Sequence, residues 1–453
     1  MIIYSWRYYL LLTVLSVFCF FQNTSALQAP YSHVKTADVD NIFSSFGPNT
    51  PGCAVGVISD GDLIFAKGYG AANLDHGIPI RPQSRFMVAS ISKQFSAAAL
   101  LMLEQEGDLD LDEDLRKYIP GLPVYDHAIT ARQVMHHTSG LRDMFSLLAL
   151  GDIGLDNTTT VDQATAMISR QQGLNFRPGS RYLYSNSGYF LISVLVENIS
   201  GMSLREYTDK HFFKPIGMTS THFHDDTGMI VPDRVISYRP TNNGPGQFYR
   251  TNADKVGARG LFTTIEDMAL WDYNFIDNKT NLENFTKRMT ELGVTIYGST
   301  FNYASGLRIN RYKSLKTVGH DGNYMGFRSS YKRFLKQRLS VVTLCNMSNI
   351  NPADYARQVA DLYLQKVFND QFNIYAGNYR NGPSGTRQVI VLENGNLYLK
   401  EGLNDKKRLT WQGDDQFRTG QWNVRFRRND QNEINHLLIK TPGTGDITFK
   451  KVE

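Results

Sequence analysis

The residues Val88-Ala89-Ser90-Ile91-Ser92-Lys93-Gln94-Phe95, continuing through Ser96-Ala97-Ala98-Ala99-Leu100-Leu101-Met102-Leu103-Glu104-Gln105-Glu106, read as the start and body of one helix. The Ala, Leu, Met, Glu and Gln content is strongly helix-forming, and Gly107 supplies a stop. Ser90 and Lys93 stand three apart, which predicts a shared face at the helix N-terminus. Unpaired N–H groups and the helix dipole favour negative charge there. A serine alkoxide and a lysine able to release its proton are both helped by that setting. Alone, Ser-x-x-Lys also fits a helix cap beside a solvated lysine, so it needs corroboration elsewhere in the chain.

Working outward, Gly52 to Ser59 and Leu63 to Gly70 flank Asp60-Gly61, a hairpin signal. From about 110 to 290 the pattern is mostly helical with long loops. Thr130 is placed to cap Ala131 to His136, Val161 to Gln172 is periodic, and Tyr189 to Ser200 ends at Gly201. Thr264-Ile265-Glu266-Asp267 reads as another helix start. Strand patterns return at Ala304 to Asn310, Gly326 to Phe334 and Leu339 to Cys345. Asn351-Pro352 then opens a predicted helix running to Val367, with asparagine as cap and proline in the first turn. The expected class is α+β: one antiparallel β-sheet built from both ends of the domain, flanked by helices, with a helical subdomain inserted. After about Asn373 short alternating segments recur between turn residues, predicting a small all-β module of roughly eighty residues, barrel or sandwich.

The chain has 453 residues, 20% charged and 42% apolar, with a formal net charge of +5. That is a globular composition with length for two or three domains. The longest basic run is Lys406-Lys407-Arg408, which gives nucleic-acid binding little support. Arg7, the apolar run Leu10 to Phe21 and Thr24-Ser25-Ala26 read as a signal peptide over residues 1–26. Nothing later resembles a membrane span, so with the leader removed the chain is not expected to be an integral membrane protein. The remaining cysteines, Cys53 and Cys345, lie in apolar strand-like runs. Export makes a bridge chemically possible, but two buried free thiols is the reading preferred here.

Two further motifs corroborate Ser90 and Lys93. Tyr184-x-Asn186, within Arg181 to Gly188, places a phenol and an amide on one tight loop just before a helix. A phenol beside a lysine can shuttle a proton, and an amide can hold the lysine or a substrate carbonyl. Val318-Gly319-His320-Asp321-Gly322-Asn323 leads into the strand from Gly326. Gly322 allows substrate close to the backbone, and the Asn323 N–H, paired with that of Ser90, would form a two-donor oxyanion hole.

In order and spacing, Ser90-x-x-Lys93, Tyr184-x-Asn186 and His320-x-Gly322 resemble the motifs of the serine β-lactamase and penicillin-binding-protein superfamily. With tyrosine in the second motif, the chain resembles the class C β-lactamase, D-alanyl-D-alanine carboxypeptidase, D-aminopeptidase and esterase branch. His137-Thr138-Ser139-Gly140-Leu141, Pro215 to Met218, and Gly260 to Thr264 with Asp267 and Trp271 add to the likeness. It covers about residues 35 to 370, and the last stretch resembles the β-barrel appendages of some D-aminopeptidase-like members. The resemblance implies a β-lactamase/transpeptidase-like hydrolase domain over 27–370 and a barrel-like domain over 373–453.

It further implies Ser90 as acylated nucleophile, Lys93 as its activator, Tyr184 as general acid or base, and Asn186 as ligand of lysine and substrate amide. The N–H groups of Ser90 and Asn323 match the oxyanion hole. Class C β-lactamases carry Lys-Thr-Gly where this chain has His320-Asp321-Gly322. A partly protonated histidine attracts a substrate carboxylate less firmly than lysine does, which favours peptidase, amidase or esterase members. Arg308 could supply the missing contact, although a solvated strand residue is the simpler reading.

His222-x-His224-Asp225-Asp226 reads as a loop rather than a metal site, and no cofactor is required for the chemistry. The reading is therefore an exported serine hydrolase acting through an acyl-enzyme on a small amide, peptide or ester, with a D-amino-acid peptide as one candidate substrate. The alternatives are a true β-lactamase and a slowly turning-over penicillin-binding or sensor protein. Oligomeric state is not legible.

Overall fold

The computed structural model describes residues 31, 34–154, 159–242, 244–248, 255–401 and 405–452. The signal peptide expected over 1–26 lies outside the described residues. Among those described, no helix is long and apolar enough to cross a membrane.

The early hairpin forms as its sequence directs. Strand β1 (Cys53–Ser59) and strand β2 (Asp62–Tyr69) join at Asp60-Gly61, where φ is +53° and +95°. Both turn residues are thus left-handed, which is why Asp-Gly stands there. Late in the chain come β3 (Arg308–Tyr312), β4 (Leu315–Tyr324), β5 (Phe327–Phe334) and β6 (Leu339–Cys345). The six pair antiparallel in the order β3-β4-β5-β6-β1-β2, so the two ends of the domain meet at β6 and β1. Every residue of β1 is buried. Ala54 and Ile58 enter the core under the helical region, while Cys53, Val55 and Val57 enter a second core on the opposite face.

One strand is a correction. The Val318–Asn323 motif does not lead into a strand but lies inside β4. Its glycines sit where other backbones come close: a Cβ on Gly319 would fall 1.8 Å from Tyr331 O, and one on Gly322 would fall 2.3 Å from Val88 O. Likewise His222–Phe223 is a short strand pairing with Leu261–Phe262, not a loop.

The two cysteines are also corrected. Cys53 and Cys345 are direct cross-strand partners in the β1–β6 register and form a disulfide. The pairing joins residues 292 apart in sequence, and nothing in the local patterns encodes that register. Replacing both by alanine is expected to lower unfolding stability by about 3–5 kcal/mol, because a long loop in the unfolded chain is released. Denaturant titration of the oxidised wild type against the double variant measures this.

Helix α1 (Lys93–Glu106) is buried from Lys93 through Leu103 and ends at Gly107 with φ +83°. From Ala97 to Leu103 it is apolar all round, which belongs in a core, and each fully buried Leu or Phe side chain contributes about 2 kcal/mol. Around it lie α2 (Ala131–Met135), α3 (Met144–Leu150), α4 (Asn186–Ser200) and α5 (Ile265–Asn274). Thr130 caps α2 through a capping box with Gln133, and Thr264 caps α5 through the N–H of Asp267. The predicted helix after Asn351 is two helices, α6 (Pro352–Tyr363) and α7 (Gln365–Phe372), and Asn351 makes no side-chain cap. Its amide instead donates to Asp354 Oδ2 at 2.6 Å.

Residues beyond α7 close into an antiparallel barrel of eight strands between Gly377–Arg380 and Ile447–Val452. Phe368 and Phe372 of α7 join the two units, the former 6.0 Å from the Tyr312 ring and the latter 6.0 Å from Phe417 of the barrel. Lys313 adds a polar tie, bonding Asp361 at 2.8 Å and the Gly395 carbonyl at 3.2 Å. A cavity of about 1130 Å³ separates β3 from barrel residues 408–414, and Ser90 does not line it.

Candidate active site

Ser90 does not sit in an α-helical turn. Ala89–Ser92 form a 3₁₀ turn that feeds α1 at Lys93. With three residues per turn, Ser90 and Lys93 eclipse one another more closely than in an α-helix. Ala89 holds φ at +48°, a left-handed conformation costly for a residue with a Cβ. Gly322 makes room for this turn, and Ser329 Oγ bonds the Val88 carbonyl at 2.8 Å from the neighbouring strand.

Lys93 is fully buried. Its Nζ lies 3.1 Å from Ser90 Oγ, 2.9 Å from Asn186 Oδ1 and 2.7 Å from the Ala258 carbonyl. Burial pushes its pKa well below the usual lysine value; nearby Arg259 and Arg308 push the same way, and Asp143 opposes them. A neutral amine has two protons and one lone pair. Asn186 Oδ1 and the Ala258 carbonyl accept only, so they take both protons and leave the lone pair for the Ser90 hydroxyl.

Asn186 cannot be turned round. Its Nδ2 donates to Asp143 Oδ2 at 2.9 Å, which fixes Oδ1 toward Lys93. The same carboxylate oxygen accepts the Asn186 N–H at 2.6 Å, and Oδ1 caps α3 by accepting from Phe145 and Ser146. Asp143 therefore ties the starts of α3 and α4 together. Sequence reading missed it, although Asp143 before an apolar run carries the ordinary N-cap signal. Asp143→Asn is expected to lower turnover roughly 10- to 100-fold by loosening Asn186, since small misplacements cost that much. Steady-state kinetics, with the thermal transition of both proteins measured alongside, checks it.

Tyr184 approaches from the other side, its hydroxyl donating to Ser90 Oγ at 2.9 Å. Burial raises its pKa above the usual tyrosine value, so the phenol is held as a donor. Its ring lies 4.3 Å from His137 and 5.4 Å from the Arg308 guanidinium. Arg308 is thus drawn into the site over Tyr184 and Tyr303, which corrects the reading of it as a solvated strand residue.

His320 is brought in as expected, but with different electrostatics. It is buried, and desolvation, reinforced by Lys93 and Arg308, lowers its pKa to about 3. Nδ1–H donates to the Asp321 carbonyl at 2.6 Å, so Nε2 accepts from Tyr303 OH at 3.3 Å. The ring is neutral at physiological pH and offers a substrate carboxylate no positive charge. The expectation of partial protonation is corrected.

Asn323 is exposed on β4. Met325-Gly326 is a two-residue turn closed by Tyr324 and Phe327. Alternation from that pair directs the Asn323 N–H away from β5, toward the side left open where β3 pairing ends at Gly319.

This arrangement can deprotonate a serine, hold the amide of a bound substrate and return a proton from a phenol. The beta-lactamase family profile matches residues 39–365, and the chain belongs to that family. Over 299 residues it is 30% identical to a D-aminopeptidase of Gluconobacter oxydans, covering 65% of this chain and 56% of the relative. The chain therefore spans little more than half the length of that relative. A penicillin-binding protein of Bacillus subtilis is 25% identical over 380 residues, 75% of this chain and 81% of its own. Among solved structures, the octameric penicillin-binding protein homologue of Pyrococcus abyssi superposes with a TM-score of 0.63 at 21% identity. That match covers 91% of this chain and 98% of the other, so the shared fold takes in most of the molecule. A D-amino acid amidase of Ochrobactrum anthropi gives 0.62 at 20% identity over 74% of this chain and 99% of its own.

Proposed function

We propose that the protein is a serine hydrolase that cleaves small amides or short peptides of D-amino acids through an acyl-enzyme at Ser90. The observation that carries the reading is the approach of the buried Lys93 Nζ to Ser90 Oγ at 3.1 Å, its other two partners, Asn186 Oδ1 and the Ala258 carbonyl, being acceptors only, so that loss of its third proton would turn a lone pair toward Ser90. Lys93 takes the serine proton as Oγ attacks the carbonyl carbon. The developing oxyanion rests on the N–H groups of Ser90 and Asn323. Tyr184 passes its proton to the departing amine and is made good by the proton Lys93 took, and water then attacks the ester, one of its protons going to Ser90 Oγ as the acid leaves. The D-aminopeptidase and D-amino acid amidase likenesses support the substrate class.

A neutral His320 argues against a site shaped around the carboxylate of a β-lactam. Arg308 favours a second reading, in which a free C-terminal carboxylate of a D-alanyl peptide is held beside Tyr184. Export over the 1–26 leader belongs to the same proposal and is supported by the cross-strand disulfide, a bond of oxidising compartments.

The test is hydrolysis of D-alaninamide, L-alaninamide, a D-alanyl-D-alanine peptide and benzylpenicillin by one preparation. Preference for D- over L-alaninamide supports the first reading. Cleavage of the dipeptide terminus alone supports the second, and rapid penicillin turnover overturns both in favour of a β-lactamase.

A further inference from the structure

His137 has no part in the proton path above, yet its surroundings are unusual. It holds φ at +59°, the left-handed region that non-glycine residues rarely occupy. The residue is 1% exposed. Its carbonyl accepts the Leu183 N–H at 2.9 Å, and its Nδ1 accepts the Ser185 N–H at 3.2 Å. Its ring packs on the Tyr184 ring with centroids 4.3 Å apart. One residue thus grips the backbone on both sides of Tyr184 and its side chain as well. Accepting at Nδ1 requires the ring proton to be on Nε2, and that atom is buried without a hydrogen-bond partner. A strained backbone and an orphaned donor are costs that packing alone does not require.

We propose that His137 is a positioning residue that holds the Tyr184 hydroxyl on Ser90 Oγ, and so governs proton delivery to the leaving group. The inference rests on the hydrolase reading. Tyr303, 4.5 Å from the His137 ring on another side, and Tyr189, 5.1 Å away, complete the socket. Burial, with Lys93, His320 and Arg308 adding to it, lowers the pKa of His137 well below the usual histidine value, so the ring stays neutral and Nδ1 stays an acceptor.

The role predicts a dependence on the leaving group. An amine must be protonated as it departs, whereas a nitrophenolate leaves without help. His137→Ala should therefore slow kcat for a D-alanine anilide roughly 30-fold or more, with KM little changed. The same variant should slow a D-alanine p-nitrophenyl ester less than about 3-fold. His137→Asn tolerates the left-handed backbone and returns an acceptor near the Nδ1 position. It should recover part of the anilide rate, and it remains informative if the alanine variant folds poorly. Adding His137→Ala to Tyr184→Phe should cost little more anilide rate than Tyr184→Phe alone. Equal losses on both substrates, or full additivity with Tyr184→Phe, would show a merely structural residue and overturn the proposal. A wild type inert toward both substrates would instead sink the hydrolase reading, and this one with it.

Discussion

Replacing Lys93 by methionine is expected to lower kcat/KM for an amide roughly 10⁴-fold, the upper range for a general base. Methionine has similar length and bends to fill the same buried channel. Loss of activity would then be loss of a proton acceptor rather than of the fold. Stability gives an independent reading with a definite sign. Burial lowers the folded-state pKa of Lys93, so between that value and 10.5 the unfolded chain binds more protons than the folded one. Wild-type stability should rise with pH across that window, by up to about 1.4 kcal/mol per pH unit from this one group. Lys93→Met removes the group, so the stability difference should shift toward wild type as the pH is raised from 7 to 10. Chemical denaturation at several pH values measures it. In the rate profile, kcat/KM should fall as the pH drops through the depressed Lys93 pKa.

The second large effect belongs to Tyr184. Tyr184→Phe removes only the hydroxyl that donates to Ser90 Oγ, and keeps the ring against His137 and beneath Arg308. Turnover of an amide should fall by about 10²- to 10⁴-fold. The thermal transition should move little, because one lost hydrogen bond is worth about 1 kcal/mol. Since the tyrosine pKa is raised rather than lowered, its ionisation should not limit the wild-type rate below pH 10. Steady-state rates on amide and activated ester, with calorimetry on both proteins, check these outcomes.

The parts legible in the sequence were those encoded over a few residues. Ser90 to Lys93 is one turn, Tyr184 to Asn186 one loop, and Asp60-Gly61 one hairpin, so residue type and spacing sufficed. What escaped depends on contacts between distant segments. Asp143 matters because α4 begins beside α3, and the Ala258 carbonyl because that loop crosses the end of Lys93. Arg308 enters the site because β3 begins beside Tyr184 and Tyr303. The motif inside β4 reads as the approach to a strand rather than part of one because glycine, aspartate and asparagine are weak strand formers. Close approach to Tyr331 and Val88 is what demands those glycines. The disulfide hid for the same reason, since only the β1–β6 register brings Cys53 opposite Cys345.

The proposed function rests on Ser90 as nucleophile, activated by a lysine whose pKa burial has depressed. Intact-protein mass after incubation with a fluorophosphonate tests it most directly, on wild type, Ser90→Ala and Lys93→Met at equal concentration. One adduct per wild-type chain is expected, with none on Ser90→Ala and labelling slowed at least 100-fold on Lys93→Met. An adduct that persists on Ser90→Ala, or a folded wild type that takes up no label, would contradict it.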